Sequence, residues 1–170
     1  MALRDVPLEF ARPGDARALA AMSRDLIEVG LGWEYRPPRV ARMIGDPDAV
    51  ALVARDGAAV AGFAVMAFGD ERAHLALLAV RPAHRRRGIA RSLVAWLVES
   101  AAVAGAASVH LELRAGNHPA RALYAAAGFT ETVRVPGYYR GHETAVRMVR
   151  VLRAPGREVP VWRPPLSDRH

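Results

Sequence analysis

The stretch Val80-Arg81-Pro82-Ala83-His84-Arg85-Arg86-Arg87-Gly88-Ile89-Ala90-Arg91-Ser92-Leu93 decides how this chain folds. Upstream of it, His74-Leu75-Ala76-Leu77-Leu78-Ala79-Val80 is almost continuously apolar, as in a strand covered on both faces. Downstream, apolar residues recur at helical spacing from Ile89, with Leu93, Trp96, Leu97 and Ala101 on one face. Between strand and helix lies a basic turn that ends on Gly88. The first turn of a helix has free N–H groups and a partial charge of about +0.5 e, which suit a phosphate. Gly88 lets the backbone approach a ligand closely, and the small Ala90 leaves room for one. Arg85, Arg86 and Arg87 precede that helix start, where positive charge is unfavourable by about 0.3 kcal/mol or more. A bound polyanion removes the conflict. An Arg run by itself reads as a solvated loop or a nucleic-acid patch. Set between a buried strand and a glycine-started helix, it favours a phosphate-binding turn.

Outward from this stretch, the pattern predicts a strand over 8–10 and a helix capped by Asp15 that runs to about residue 28. Ala18, Met22, Leu26 and Val29 are its apolar stripe, and Gly30 and Gly32 end it. Residues 33–48 are rich in Pro and Arg, with room for one short helix over 39–44. Two β-like runs, 49–54 and 58–68, are joined by Asp56-Gly57, a strong hairpin signal. The helix from Ile89 reaches about residue 104, with Gly105 at its end. Residues 108–114 alternate as a strand. Asn117 caps a helix to about residue 127, with Pro119 near its start and Gly128 past its end. A last strand pair covers 129–135 and 144–152. Helix and strand alternate in the middle third, which predicts a parallel βαβ unit inside a mixed sheet of the α/β class. Residues 1–152 read as one domain, followed by an irregular Pro/Arg-rich tail over 153–170.

The chain has 170 residues, of which 52% are hydrophobic and 24% charged, a globular composition. It has no cysteine, which excludes disulfides, thiolate metal sites and cysteine nucleophiles. All 24 basic residues are Arg, so P-loop and Schiff-base lysines are absent. The net charge of +7 favours anionic partners. The start shows no secretory signal, and the apolar stretch 89–113 is broken by Arg91, Glu99 and His110. The expected setting is the cytoplasm, with no membrane partner.

A second informative segment is Leu111-Glu112-Leu113-Arg114-Ala115-Gly116-Asn117, continued through Tyr124 to Gly128-Phe129. Glu112 lies mid-strand on the face opposite Leu111 and Leu113, where it can be a general base or a solvent-facing carboxylate. Asn117 and Tyr124 are seven residues apart, two helical turns, and share a face. Tyr124 can be a proton donor or a core aromatic, and Asn117 can be an N-cap as well as a ligand contact. His74, at the start of the other central strand, reads as a strand-end histidine or an accessory base. His84, His110, His118 and His142 show no metal-ligand spacing, and no metal is expected.

Arg85-Arg86-Arg87-Gly88-Ile89-Ala90 resembles the Arg/Gln-x-x-Gly-x-Gly/Ala signature of the GNAT superfamily of N-acetyltransferases, with Ala90 as its accepted variant. The resemblance extends over about 49–152, and Phe10-Ala11-Arg12-Pro13-Gly14-Asp15 is similar to the family's opening. It implies a twisted mixed sheet whose two central parallel strands, 74–80 and 108–114, splay apart to admit a pantetheine arm. It implies acetyl-CoA as cofactor and coenzyme A as product. Contacts would come from Leu78, Ala79 and Val80 at the strand end, then Arg85, Arg86, Arg87, Gly88, Ile89, Ala90 and Arg91 in the turn, and Asn117 and Tyr124 beyond. The segment from Leu111, followed by Tyr138-Tyr139 and Glu143-x-Ala145-x-x-Met148, resembles the branch that acetylates ribosomal-protein alanine N-termini. That likeness implies Glu112 as general base, Tyr124 as the acid that protonates the leaving thiolate, and His74, Tyr138 and Tyr139 beside the substrate. The chain departs from the branch in its longer tail and in residues 33–48, which match no peptide groove. The expected acceptor is an amine, a peptide N-terminus first and a small molecule second. A non-catalytic acyl-CoA-binding module is the second class of function. Nucleic-acid binding ranks last, since no stacking aromatics interleave the Arg residues. A homodimer stays open.

Overall fold

In a computed structural model that describes residues 6–153, alternating apolar residues in the first half of the chain build an antiparallel meander. Strands β1 (Leu8–Phe10), β2 (Ala49–Asp56), β3 (Ala59–Phe68) and β4 (Arg72–Val80) pair in that order. Gly57, at φ 62°, closes the β2–β3 hairpin as its sequence predicts. Strand β5 (Ser108–Arg114) lies parallel to β4. Strand β7 (Glu143–Val151) runs antiparallel to β5, and β6 (Thr130–Tyr139) forms the outer edge. The result is one seven-stranded mixed sheet in the order β1-β2-β3-β4-β5-β7-β6.

Helices cover both faces, so the fold has three layers. Helices α1 (Ala16–Met22) and α2 (Pro37–Gly45) pack on one face with Leu19, Met22, Val40, Val53 and Phe63. Helices α3 (Ile89–Val103) and α4 (His118–Ala126) cover the other with Leu93, Leu97, Leu111, Tyr124 and Phe129. Each fully buried Leu or Phe contributes about 1.5–3 kcal/mol of transfer free energy. No described helix is long and apolar enough to cross a membrane.

Two local irregularities shape the middle of the sheet. Val65 pairs with Leu77 while Met66 pairs with Leu75, so Ala76 is an extra residue in β4. This bulge reverses the facing of the strand: Ala73 and Leu75 join the α3/α4 core, whereas Leu77 and Ala79 join the α1/α2 core. The apolar run 74–80 is thus covered on both faces. Parallel pairing of β4 with β5 stops at the same place. Only Arg72–Ser108, Ala73–Val109 and His74–His110 are in register, although the strands continue to Val80 and Arg114. Past His74 the two strands diverge, the splay that the family resemblance implies.

Several expectations need correction. The helix expected over 15–28 is α1 followed by a π turn, Ser23–Ile27. Leu19, Ala20 and Met22 form the buried face of α1, and past the wider turn Val29 is carried off that face and is 56% exposed. Asp15 does not cap this helix with its side chain. It accepts instead from the Arg12 N–H at 2.7 Å and from the Arg55 guanidinium at 2.6 Å. Trp96 is not on the buried face of α3, which is Leu93, Val94, Leu97, Val98 and Ala101; it stacks edge-on against Phe10 at 5.6 Å. Strand β6 is longer than 129–135, because an edge strand tolerates Pro136 and Gly137 (φ 67°) adapts the backbone. Apart from Arg153, the tail expected over 153–170 lies outside the described residues.

Candidate functional site

The basic turn closes nothing off. After one tight turn, Pro82–His84, the backbone is extended at Arg85 and left-handed at Arg86 (φ 64°) and Gly88 (φ 76°). The first helical bond of α3 runs from the Ser92 N–H to the Gly88 carbonyl at 3.0 Å. Among the described residues, the amides of Arg86, Arg87, Gly88, Ile89, Ala90 and Arg91 donate to no backbone carbonyl, and no side chain caps the helix. Unpaired N–H groups in a turn with left-handed residues, at a helix N-terminus, are suited to receive an anion. A Cβ at Gly88 would meet nothing within 4 Å, so its space is open and the glycine serves its positive φ. The side chains of Arg85, Arg86, Arg87 and Arg91 are exposed around this turn. The turn is tied to the β2–β3 hairpin, with Asp56 Oδ2 lying 3.0 Å from His84 Nε2 and 4.0 Å from the Arg87 guanidinium.

From that turn the opening between β4 and β5 leads inward past Leu78, Ala79 and Val80. These residues follow the last parallel pair, so their backbone has no strand partner on the β5 side. Tyr124 of α4 is buried at 7% exposure and stacks edge-on against Phe129 at 5.7 Å. Burial first, and then the neighbouring Tyr139, push its hydroxyl well above the usual phenol range, so it stays protonated. Asn117 is an N-cap, its Oδ1 accepting from the Ala120 N–H at 3.3 Å. Asn117 is exposed while Tyr124 is buried, so the shared helical face runs from the surface into the core.

Where the strands part, polar side chains gather on the α1/α2 side of the sheet. His74 Nε2 lies 2.6 Å from Glu112 Oε2, bridging β4 and β5. Arg147, opposite Glu112 on β7, brings its Nε within 3.6 Å of Oε1. The hydrogen bond from His74, set against a desolvation cost, holds the Glu112 carboxyl below its usual range, with Arg147 assisting. His110, in register with His74, is pushed down by burial and then by Arg72; the Ser108 hydroxyl is 2.7 Å from its Nε2. Tyr138 and Tyr139 stack edge-on at 5.0 Å, with Arg147 over the first ring and Arg114 over the second. Burial, then Tyr138 and Glu112, pushes Tyr139 up to about 12. The structure therefore brings Glu112, His74, Tyr138 and Tyr139 to one locality. The basic turn lies past Val80 at the other end of the opening.

Three side chains of this locality escape sequence reasoning. Arg114 donates to the carbonyls of Ile27 and Val29 at 3.3 and 2.5 Å and pairs with Glu143 at 3.4 Å, tying β5 to the end of the π turn. Buried Glu28 accepts from the Ser23 hydroxyl at 2.8 Å and from the amides of Glu34 and Tyr35 at 2.7 and 3.2 Å. It thereby fixes the segment that leads into α2, residues that match no sequence pattern. Arg147 becomes a neighbour of Glu112 only through the β5–β7 register, and period-2 alternation does not specify register. Gly32 (φ 78°) lies against the Arg140 guanidinium where a Cβ would overlap it, so the α1–α2 and β6–β7 connections meet.

Comparisons with known proteins agree with this fold. The model of the Acetyltransferase (GNAT) family matches residues 20–129. A ribosomal protein bS18-alanine N-acetyltransferase of Salmonella typhimurium is 37% identical over 92 residues, 52% of this chain and 62% of that protein. The chain thus spans less than two-thirds of the length of that relative. The crystal structure of the ribosomal-protein-S18-alanine N-acetyltransferase from Escherichia coli superposes with a TM-score of 0.76 at 24% identity, covering 90% of this chain and 97% of that one. A nourseothricin acetyltransferase structure is 31% identical with a TM-score of 0.60, covering 64% and 68% of the two chains.

Proposed function

The chain belongs to the acetyltransferase (GNAT) family, and from that premise we propose that it transfers an acetyl group from acetyl-CoA directly to a primary amine, first of all a protein N-terminal α-amine. The observation that carries this reading is the continuity of an unpaired amide turn at 86–91, a splayed β4–β5 opening and a His74–Glu112 pair at its inner end. The six free amides and their arginine rim fit a pyrophosphate. The unpaired β4 edge at Leu78, Ala79 and Val80 fits an amide-bearing arm. Acetyl-CoA, when bound, supplies an activated acetyl thioester. The residues of the chain do the rest. The turn anchors the anion, and the opening aims the thioester inward. The acceptor ammonium loses a proton at the His74–Glu112 pair, and the buried, protonated Tyr124 hydroxyl donates one to the leaving sulfur. With no cysteine in the sequence, no cysteinyl acyl intermediate intervenes.

The matched bS18-alanine acetyltransferase supports the peptide acceptor and a cytoplasmic setting. The nourseothricin acetyltransferase favours a small-molecule amine as the second reading. Acetylation assays with short peptides starting in Ala or Ser, beside polyamines and aminoglycosides, separate the two. Turnover of the peptides is expected; turnover of the small amines alone would contradict the peptide acceptor.

A further inference from the structure

We propose that the His74 imidazole, rather than the Glu112 carboxylate, takes the proton from the acceptor, and that Glu112 holds the ring in place. The inference rests on the acetyl-transfer reading above and assigns roles within its site. Both Glu112 oxygens already have partners: Oε2 faces His74 Nε2 at 2.6 Å and Oε1 faces Arg147 at 3.6 Å. A carboxylate only accepts, so the hydrogen between the two groups sits on Nε2. This leaves the lone pair on Nδ1, and among the described residues no side chain hydrogen-bonds to that nitrogen. Exposure points the same way. The His74 side chain is 47% exposed and that of Glu112 is 21%, so an arriving amine meets the imidazole first. His74 also belongs to the last parallel pair, at the point where the sheet opens.

The charges around His74 suit this division of labour. Glu112 and His110 on β5 lie beside it, Arg72 of β4 acts on His110, and Arg147 on β7 and Tyr139 on β6 face Glu112. His110 is held neutral by burial, so no second imidazolium forms beside the first. Glu112, pulled down by its partners and already engaged at both oxygens, is a poor base toward an ammonium. In the step itself the ammonium N–H bond breaks and the Nδ1–H bond forms. The freed amine lone pair makes the new C–N bond as the C–S bond of the thioester breaks, and the sulfur takes the Tyr124 proton. The second N–H proton leaves the nitrogen to water as the amide forms, Tyr124 regains a proton from water, and Nδ1 returns its own proton to water.

The test uses His74→Ala and His74→Gln in the full chain, with acetyl-CoA affinity measured on the same preparations. His74→Ala is expected to lower kcat by about 10²-fold or more at neutral pH with the affinity kept. Added imidazole should restore part of that loss in proportion to its free-base form, since the removed ring stood half in solvent. His74→Gln should show no such rescue and should lose the ascending limb of the pH profile of kcat/KM. Wild-type-like rates and an intact limb in either variant would overturn the assignment, as would a loss that imidazole leaves untouched in a protein that still binds acetyl-CoA. Failure of the wild-type chain to acetylate any amine would overturn the acetyl-transfer reading itself.

Discussion

Tyr124 carries the sharpest residue-scale consequences. Its hydroxyl is kept protonated by burial, so its proposed role is donation. Tyr124→Phe should reduce kcat by about 10²-fold and change acetyl-CoA affinity little, as steady-state kinetics beside calorimetric titration would show. The same burial predicts an alkaline weakness. Tyr139 titrates at about 12 in the fold against 10.0 in an unfolded chain, and Tyr124 higher still. Because the folded values are raised, their stabilising effect is complete below about pH 10 and is lost as pH rises toward about 12. Thermal unfolding followed from pH 8 to 12 should show that fall, and Tyr124→Phe should flatten it. Equal slopes in the two proteins would contradict the burial argument. Glu112 and Tyr124 were legible because alternation and a two-turn spacing mark their faces. Arg114 and Arg147 were not, because what they touch depends on register and on loops far away in sequence.

At the scale of elements, the strand–turn–helix at 80–93 is legible because each of its parts has a local cause. An apolar run makes the buried strand, a positive-φ glycine ends the turn, and helical periodicity follows. The π turn at Ser23–Ile27 and the bulge at Ala76 are not, since one extra residue leaves no compositional mark and shows only as a shifted face. Gly88→Ala tests the turn. With open space around it, the added methyl costs only the backbone strain of φ 76°, about 1–2 kcal/mol, while the turn relaxes away from its concave form. Acetyl-CoA affinity should fall by about tenfold with the fold retained, measured by titration and circular dichroism. Unaltered affinity would show that the amides of this turn do not hold the anion.

Over the whole molecule, the order of strands and helices follows from sequence because hairpin signals and helix–strand alternation fix neighbours. The divergence of β4 from β5 is not written in either strand. It emerges from a bulge in one and the pairing of the other with β7. This divergence joins a turn of unpaired amides on one side of the sheet to the His74–Glu112 pair on the other, and the proposed activity depends on that connection. Isothermal titration of the purified chain with acetyl-CoA, beside free acetate and inorganic pyrophosphate, tests it most directly. The account predicts saturable binding of acetyl-CoA with a raised Tm, weaker competition by pyrophosphate and none by acetate. Absence of binding at millimolar acetyl-CoA would contradict it.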